Sequence, residues 1–182
     1  MSPNSNPESF EELALPLFDS LYNFARWLSR DGDEAEDLVQ ETYAKALRGF
    51  AGFASGTDFR AWMFRILKNA FLNSRTALRT RMTVALEDNE NAEPATMQTP
   101  ESLALADADR EAVQRAIAAL TPVYREVMLL CDVEEMKYQE IAEALGIPIG
   151  TVMSRVSRAR RALRARLLEQ SAPRLQSVDR AN

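Results

Sequence analysis

The sequence predicts an all-α protein of two small helical bundles joined by a flexible acidic linker. Three observations predict it. Apolar residues recur at three- and four-residue intervals along most of the chain. That periodicity disappears in one stretch rich in acid, asparagine and proline, residues 83–102. No alternating strand pattern of comparable length occurs. At 182 residues and 46% hydrophobic content the chain can bury one medium core or two small ones.

The elements follow in order. Leu13, Leu17, Phe18, Leu21, Phe24 and Leu28 mark a first amphipathic helix, ended by Asp31-Gly32-Asp33. Glu34, Glu36 and Asp37 open a second helix, where the helix dipole favours carboxylates. It carries Leu38, Val39, Thr42, Tyr43, Ala46, Leu47 and Phe50 on one side. Gly49, Gly52 and Gly56 punctuate a loop, and Thr57 or Asp58 caps a third helix running through Trp62, Ile66, Leu67, Ala70 and Phe71. After the linker, helix resumes near Pro100-Glu101 and carries Leu103, Leu105, Ala106, Val113 and Ile117. Thr121-Pro122 starts another, with threonine as the cap and proline in the first turn. These elements divide the chain into a first domain over 8–80, a linker over 81–108, a second domain over 109–170 and a disordered tail over 171–182.

Composition excludes several functions. The chain has no histidine, which removes histidine-based catalytic dyads and every histidine-containing metal site. It has no glycine-rich phosphate loop and no CxxC pattern, and its carboxylates form no paired constellation. Composition thus disfavours an enzyme, and no catalytic residue, cofactor, metal or small-molecule substrate is expected. The single cysteine, Cys131, forms no internal disulfide and reads as a small core residue. No run of about 18 apolar residues spans a bilayer and no secretory signal opens the chain, so a cytoplasmic protein with no membrane insertion is expected.

A net charge of −5 conceals strong segregation. Residues 81–110 hold seven acids against two bases, whereas 151–182 hold eight arginines against two acids. Two windows carry base and no acid. Phe59–Arg81 contains Arg60, Arg65, Lys68, Arg75, Arg79 and Arg81, and Thr151–Leu168 contains Arg155, Arg158, Arg160, Arg161, Arg164 and Arg166. Basic stripes on an acidic chain bind a polyanion locally while other surfaces repel it; each stripe alone also fits a solvated helix face.

Residues 138–164, YQEIAEALGIPIGTVMSRVSRARRALR, form the sharpest motif. A short helix with Ile141, Ala142 and Leu145 inward meets a turn at Gly146, and a second helix then buries Val152, Val156, Ala159 and Leu163. Thr151, Ser154, Arg155 and Arg158 lie on the other face. This is a helix-turn-helix whose second helix suits a major groove, because arginine bonds guanine edges bidentately and serine or threonine reaches bases or phosphates. Arg160, Arg161 and Arg164 lie further along, toward the DNA backbone or solvent.

Together, DLVQETYAKALRGF (37–50), FRAWMFRILKNAFLNSRT (59–76) and this helix-turn-helix resemble the bacterial extracytoplasmic-function (ECF) alternative sigma factors of RNA polymerase, in order and in spacing. The resemblance implies a first domain equivalent to sigma region two and a second equivalent to sigma region four. It implies binding to RNA polymerase core through the β′ clamp and the β flap, recognition of −10 and −35 promoter DNA, initiation of a stress-type regulon, and restraint by an anti-sigma factor. By matching position, Asp37, Leu38, Gln40, Glu41 and Thr42 would grip the clamp. Arg60, Arg65, Lys68, Asn69, Asn73, Arg75 and Arg79 would bind the −10 strand, where cations track phosphates and amides read unstacked bases. Thr151, Ser154, Arg155 and Arg158 would read the −35 element. The loop Gly52–Asp58 would help form a pocket for an everted base, with Phe53 and Ser55 as candidates. Trp62 and Phe71 read as core rather than base platforms, and Phe64 is open between the two. Where the family has an aspartate followed by paired arginines near 74–76, this chain has Asn73-Ser74-Arg75. In the family the linker threads the polymerase's nucleic-acid channel, and Asp88, Glu90 and Glu93 suit such a basic groove; a solubilising tether fits the same composition. A conventional helix-turn-helix regulator with an N-terminal sensor or dimerisation domain explains 138–164 equally well but leaves the two earlier motifs unexplained.

Overall fold

A computed structural model describes residues 9–53, 58–84 and 104–178, with side chains over 9–53, 58–77 and 110–169. Every regular element among the described residues is helical. They build two compact units. The linker carboxylates Asp88, Glu90 and Glu93, the loop residues Ser55 and Thr57, and the side chain of Arg79 lie outside the described residues.

In the N-terminal unit the expected first helix is three pieces: α1 (Phe10–Ala14), a 3-10 turn (Leu15–Leu17) and α2 (Phe18–Ser29). Pro16 sits at the start of the 3-10 turn, where its missing N–H and fixed φ interrupt the α-helical ladder. A reciprocal cap starts α1: the Ser9 hydroxyl accepts from the Glu12 amide (3.2 Å) and the Glu12 carboxylate accepts from the Ser9 amide (2.9 Å). α2 stops at Arg30, which takes a left-handed conformation (φ 63°). Asp31 then caps α3 (Gly32–Gly49) by accepting from the Glu34 amide at 2.9 Å. Asp58, not Thr57, caps α4 (Phe59–Val84), its carboxylate accepting from the Ala61 amide at 2.7 Å.

α2, α3 and α4 pack around Leu21, Phe24, Leu38, Val39, Ala46, Met63, Phe64 and Leu67. Phe24 meets Phe64 edge to face at 5.4 Å, so Phe64 is a core residue. Trp62 and Phe71, expected in the core, are only half-buried, and Phe18 and Leu47 are largely exposed. The Tyr43 hydroxyl ties α3 to α1 by donating to the Ala14 carbonyl at 2.6 Å.

The C-terminal half of the chain contains α5 (Ala104–Ala118), α6 (Pro122–Met128), a π-helical turn (Leu129–Val133), α7 (Tyr138–Leu145) and α8 (Ile149–Val178). α4 and α5 both reach into the stretch expected as linker, and α8 reaches into the expected tail. Pro122 opens α6 as expected, but the Thr121 side chain makes no capping bond; its carbonyl accepts from Tyr124 and Arg125 instead. α8 packs against α5 and α6, burying Val152, Val156 and Ala159.

Candidate functional site

The first surface is one face of α3. Asp37, Gln40 and Glu41 are exposed, and Glu36, Ala44, Leu47 and Arg48 extend the same stripe at helical spacing. Leu38 and Thr42 do not belong to it. They are 3% and 0% exposed, and the Thr42 hydroxyl donates to the Leu38 carbonyl at 2.7 Å. At about 100° per residue, positions 38 and 42 turn into the core when 37, 40 and 41 turn out. The five-residue grip expected from the motif is thus three exposed residues and two that hold the helix in place. Leu47, read as an inward residue, is 57% exposed and adds an apolar contact point to the polar stripe. Beside this stripe, Phe18, Tyr22, Glu36, Val39 and Gln40 line a shallow depression. Glu41 and Lys45 form an exposed ion pair on α3, of the kind that adds only a few tenths of a kcal/mol.

The second surface is the outer face of α4. Arg65, Asn69 and Asn73 are exposed at successive four-residue steps, so one cation and two amides fall in a row along the helix. Lys68 is half-buried beside them. Arg60 is half-buried, its guanidinium 5.8 Å from the Phe64 ring centre. Arg75 differs from the rest. It pairs with Glu34 at 3.1 Å, donates to the Ser29 carbonyl at 3.4 Å, and lies over the Phe71 ring at 5.1 Å. Its guanidinium therefore fastens α4 to the junction of α2 and α3. Phe53 packs on Trp62 at 5.0 Å and on Phe59 at 5.4 Å, which holds the described part of the Gly52–Asp58 loop against the helix.

The third surface is the start of α8. Gly146 adopts φ 65°, the left-handed conformation that ends a helix, and the Ile147 amide reaches back to the Ala142 carbonyl at 3.1 Å. The Pro148 carbonyl accepts from the Thr151 and Val152 amides, setting the first turn of α8. Ser154 and Arg158 are exposed and Thr151 and Arg155 half-buried, flanking the buried row of Val152, Val156 and Ala159. The motif reading passed over Met153 and Ser157, which share the exposed side; an inward-facing pattern of four apolar residues already told them apart from the core. Ser154 also donates to the Thr151 carbonyl at 3.0 Å.

Arg160, expected toward DNA backbone or solvent, is exposed and also pairs within the unit. It makes a two-pronged contact with the Asp132 carboxylate and approaches the Cys131 sulfur at 3.5 Å. The π-helical turn aims Asp132 this way: the Glu134 amide bonds back to the Leu129 carbonyl (2.9 Å), five residues earlier, which inserts a residue into the helical ladder. Cys131 is half-buried. Burial, and then the Asp132 carboxylate, push its thiol above the ordinary range, which favours the protonated form.

Residues 17–81 match the family model for sigma-70 region 2, and residues 110–163 match that for sigma-70 region 4. The chain is 36% identical over 171 residues to the ECF RNA polymerase sigma factor SigE of Mycolicibacterium smegmatis, covering 93% of this chain and 66% of SigE. It is 33% identical over 165 residues to the ECF sigma factor EcfG of Rhodopseudomonas palustris, covering 91% of this chain and 88% of EcfG. Among solved structures, it resembles the sigma factor RpoE of Bartonella quintana in complex with the anti-sigma factor NepR. There the TM-score is 0.66 and the identity 34%, over 88% of this chain and 96% of RpoE. It also resembles CnrH in complex with the cytosolic domain of CnrY, with a TM-score of 0.61 and 26% identity, over 88% of each chain. With both regions present in order, and a relative at 33% identity matched over nearly its whole length, the chain belongs to the ECF family of RNA polymerase sigma factors.

Proposed function

We infer that this protein joins RNA polymerase core, carries it to promoters with matched −10 and −35 elements, and starts transcription of a stress-type regulon in the cytoplasm. The observation that carries this reading is the pairing, in one chain, of a region-2 helix with an outward row of Arg65, Asn69 and Asn73 and a region-4 helix with outward Ser154 and Arg158. A row of cation and amides suits an unstacked single strand. A helix-turn-helix with an exposed serine and arginine suits a duplex major groove. The domains would be residues 8–80 and 109–170, joined by the acidic linker over 81–108, and no catalytic residue takes part. No helix among the described residues is long and apolar enough to cross a membrane.

Asp37, Gln40 and Glu41, with Leu47, would contact the polymerase β′ clamp, and the C-terminal unit the β flap. An anti-sigma factor would hold the protein inactive by covering these surfaces, as suits a chain resembling the sigma factor RpoE solved with the anti-sigma factor NepR. The −10 strand would lie along Arg65, Lys68, Asn69 and Asn73, with Arg60 beside them. Arg75 takes a positioning role.

The test is transcription in vitro with purified core polymerase. Promoter-specific RNA that depends on this protein supports the reading. Protection of a palindromic duplex by the protein alone, without association with polymerase, refutes it and favours the conventional regulator. Within that assay, Arg158→Ala is expected to weaken −35-dependent promoter binding by about 1–3 kcal/mol, the loss of one base contact, with no change in fold. Arg75→Glu is expected to destabilise the N-terminal unit by about 1 kcal/mol, since the pair it breaks is partly exposed. Adding Glu34→Arg to that variant should recover most of the loss in urea unfolding; no recovery would remove the positioning role.

A further inference from the structure

The first turns of α8 expose two large apolar side chains that the sigma-factor reading leaves unused. Ile149 is 44% exposed and Met153 is 54% exposed. Four residues apart on one helix, they sit one above the other and form a continuous apolar strip. Exposed Ser157, then Ser154, follow Met153 round the outward side of the helix.

What could cover that strip is limited by its surroundings. From Gly150 to Leu168 the chain contains no acid, and Arg155, Arg158, Arg160, Arg161 and Arg164 surround or follow the apolar pair. A protein partner with an apolar face would have to desolvate these cations as it docked. A polyanion would accept them. Nucleic acid also offers an apolar partner of the right size: the C5 methyl of thymine, which stands in the major groove and is read there by apolar side chains. Methionine suits that task, because its flexible, polarisable thioether adapts to a contact of irregular shape.

We propose that Ile149 and Met153 form an apolar reader of thymine methyl groups in the −35 element, alongside the hydrogen-bonding reader Ser154 and Arg158. The inference rests on α8 being the duplex-reading helix. Arginine and serine then set polar contacts to base edges, and Met153 adds a preference for thymine that no hydrogen bond supplies. Arg160, held by Asp132, stays out of this reading.

The experiment uses the full chain in reconstituted holoenzyme. Promoter duplexes are first selected from a pool randomised at the −35 element. Each thymine of the selected element is then replaced by deoxyuridine, which removes the methyl and keeps the pairing and the hydrogen-bonding edge. Wild-type holoenzyme is expected to lose about fourfold in affinity at each thymine that is read, the size set by burying one methyl group. Met153→Ala should bind thymine duplex about as weakly as wild type binds deoxyuridine duplex, and should no longer distinguish the two at that position. Met153→Arg should shift selection there from thymine toward guanine. Urea unfolding of both variants should match wild type, since the side chain is exposed.

Equal wild-type affinity for thymine and deoxyuridine duplexes overturns the proposal, as does a selected element without thymine. If Arg158→Ala still weakens binding in that case, only the methyl reader fails. If Arg158→Ala also leaves binding unchanged, the assignment of α8 to the duplex fails with it. A Met153→Ala variant that loses affinity for core polymerase but keeps its thymine preference likewise overturns the proposal in favour of a protein contact.

Discussion

Replacing Arg125 with methionine is expected to destabilise the C-terminal unit by about 3 kcal/mol, measured as a shift in the urea unfolding midpoint. Arg125 is a charged residue at 6% exposure inside an α-helical bundle, where an unpartnered cation would be prohibitive. Its guanidinium is spent on the end of α5. Nε donates to the Ile117 carbonyl at 3.3 Å, and one terminal nitrogen donates to the Leu120 carbonyl at 2.8 Å and to the Ala118 carbonyl. Ile117 and Ala118 belong to the last turn of α5, and a cation there also opposes the negative end of the helix dipole. Methionine keeps much of the side-chain volume but donates to none of the three; the Ile117 carbonyl keeps the Leu120 amide, and each buried acceptor that loses its donor costs about 1–3 kcal/mol, partly recovered where water can enter. Arg125→Lys keeps the charge but cannot span three carbonyls, so its loss should fall between. Because α5 and α6 both pack on α8, loosening this cap should weaken −35 binding as temperature rises. Arg158→Ala should weaken it at every temperature. Equal unfolding midpoints for wild type and Arg125→Met would show that α5 is capped by other means.

What was legible in the sequence and what was not divides by distance along the chain. The helices, the Asp58 cap and the Gly146 turn depend on neighbours within a few residues, and each was readable from local pattern. The break at Pro16 was also local, but the apolar repeat across it masked the proline. The resemblance gives Arg75 to the −10 strand by matching position, in a window that holds base and no acid. Its partners, Glu34 and Ser29, lie 41 and 46 residues away, a pairing that no local pattern reports. The ion pair of exposed Arg160 with Asp132, 28 residues away, is hidden for the same reason. Arg125, between Tyr124 and Glu126, carries no local signal, since an arginine in a short helix looks the same whether it caps another helix or reaches solvent. Leu47 fits the apolar repeat of α3 yet faces outward, because the repeat says which residues could be buried and the neighbouring helices decide which are.

The error at Leu38 and Thr42 has a different origin and gives the most discriminating prediction. The motif DLVQET was carried over as a block of contact residues, although the same helix had already been read with Leu38 and Thr42 on its apolar side. A contiguous run on a helix cannot all face one partner, and the structure separates the run into two roles. Leu38→Ala is expected to cost the N-terminal unit about 2–5 kcal/mol, the range for truncating a fully buried leucine where the cavity does not collapse. Polymerase binding should fall only as far as the folded fraction falls. Asp37→Ala combined with Gln40→Ala should do the reverse: an unchanged unfolding midpoint, because both side chains are exposed, with affinity for core polymerase reduced about tenfold or more, as for two interface contacts of roughly 0.7 kcal/mol or more each. Urea unfolding and a direct binding titration on the same three proteins separate the cases. Should the double variant bind core polymerase like wild type while Leu38→Ala loses binding at temperatures where it is fully folded, the exposed stripe of α3 would not be the clamp contact. The partner would then have to reach the helix from its apolar side, which the packing of Phe24, Leu38 and Phe64 closes off.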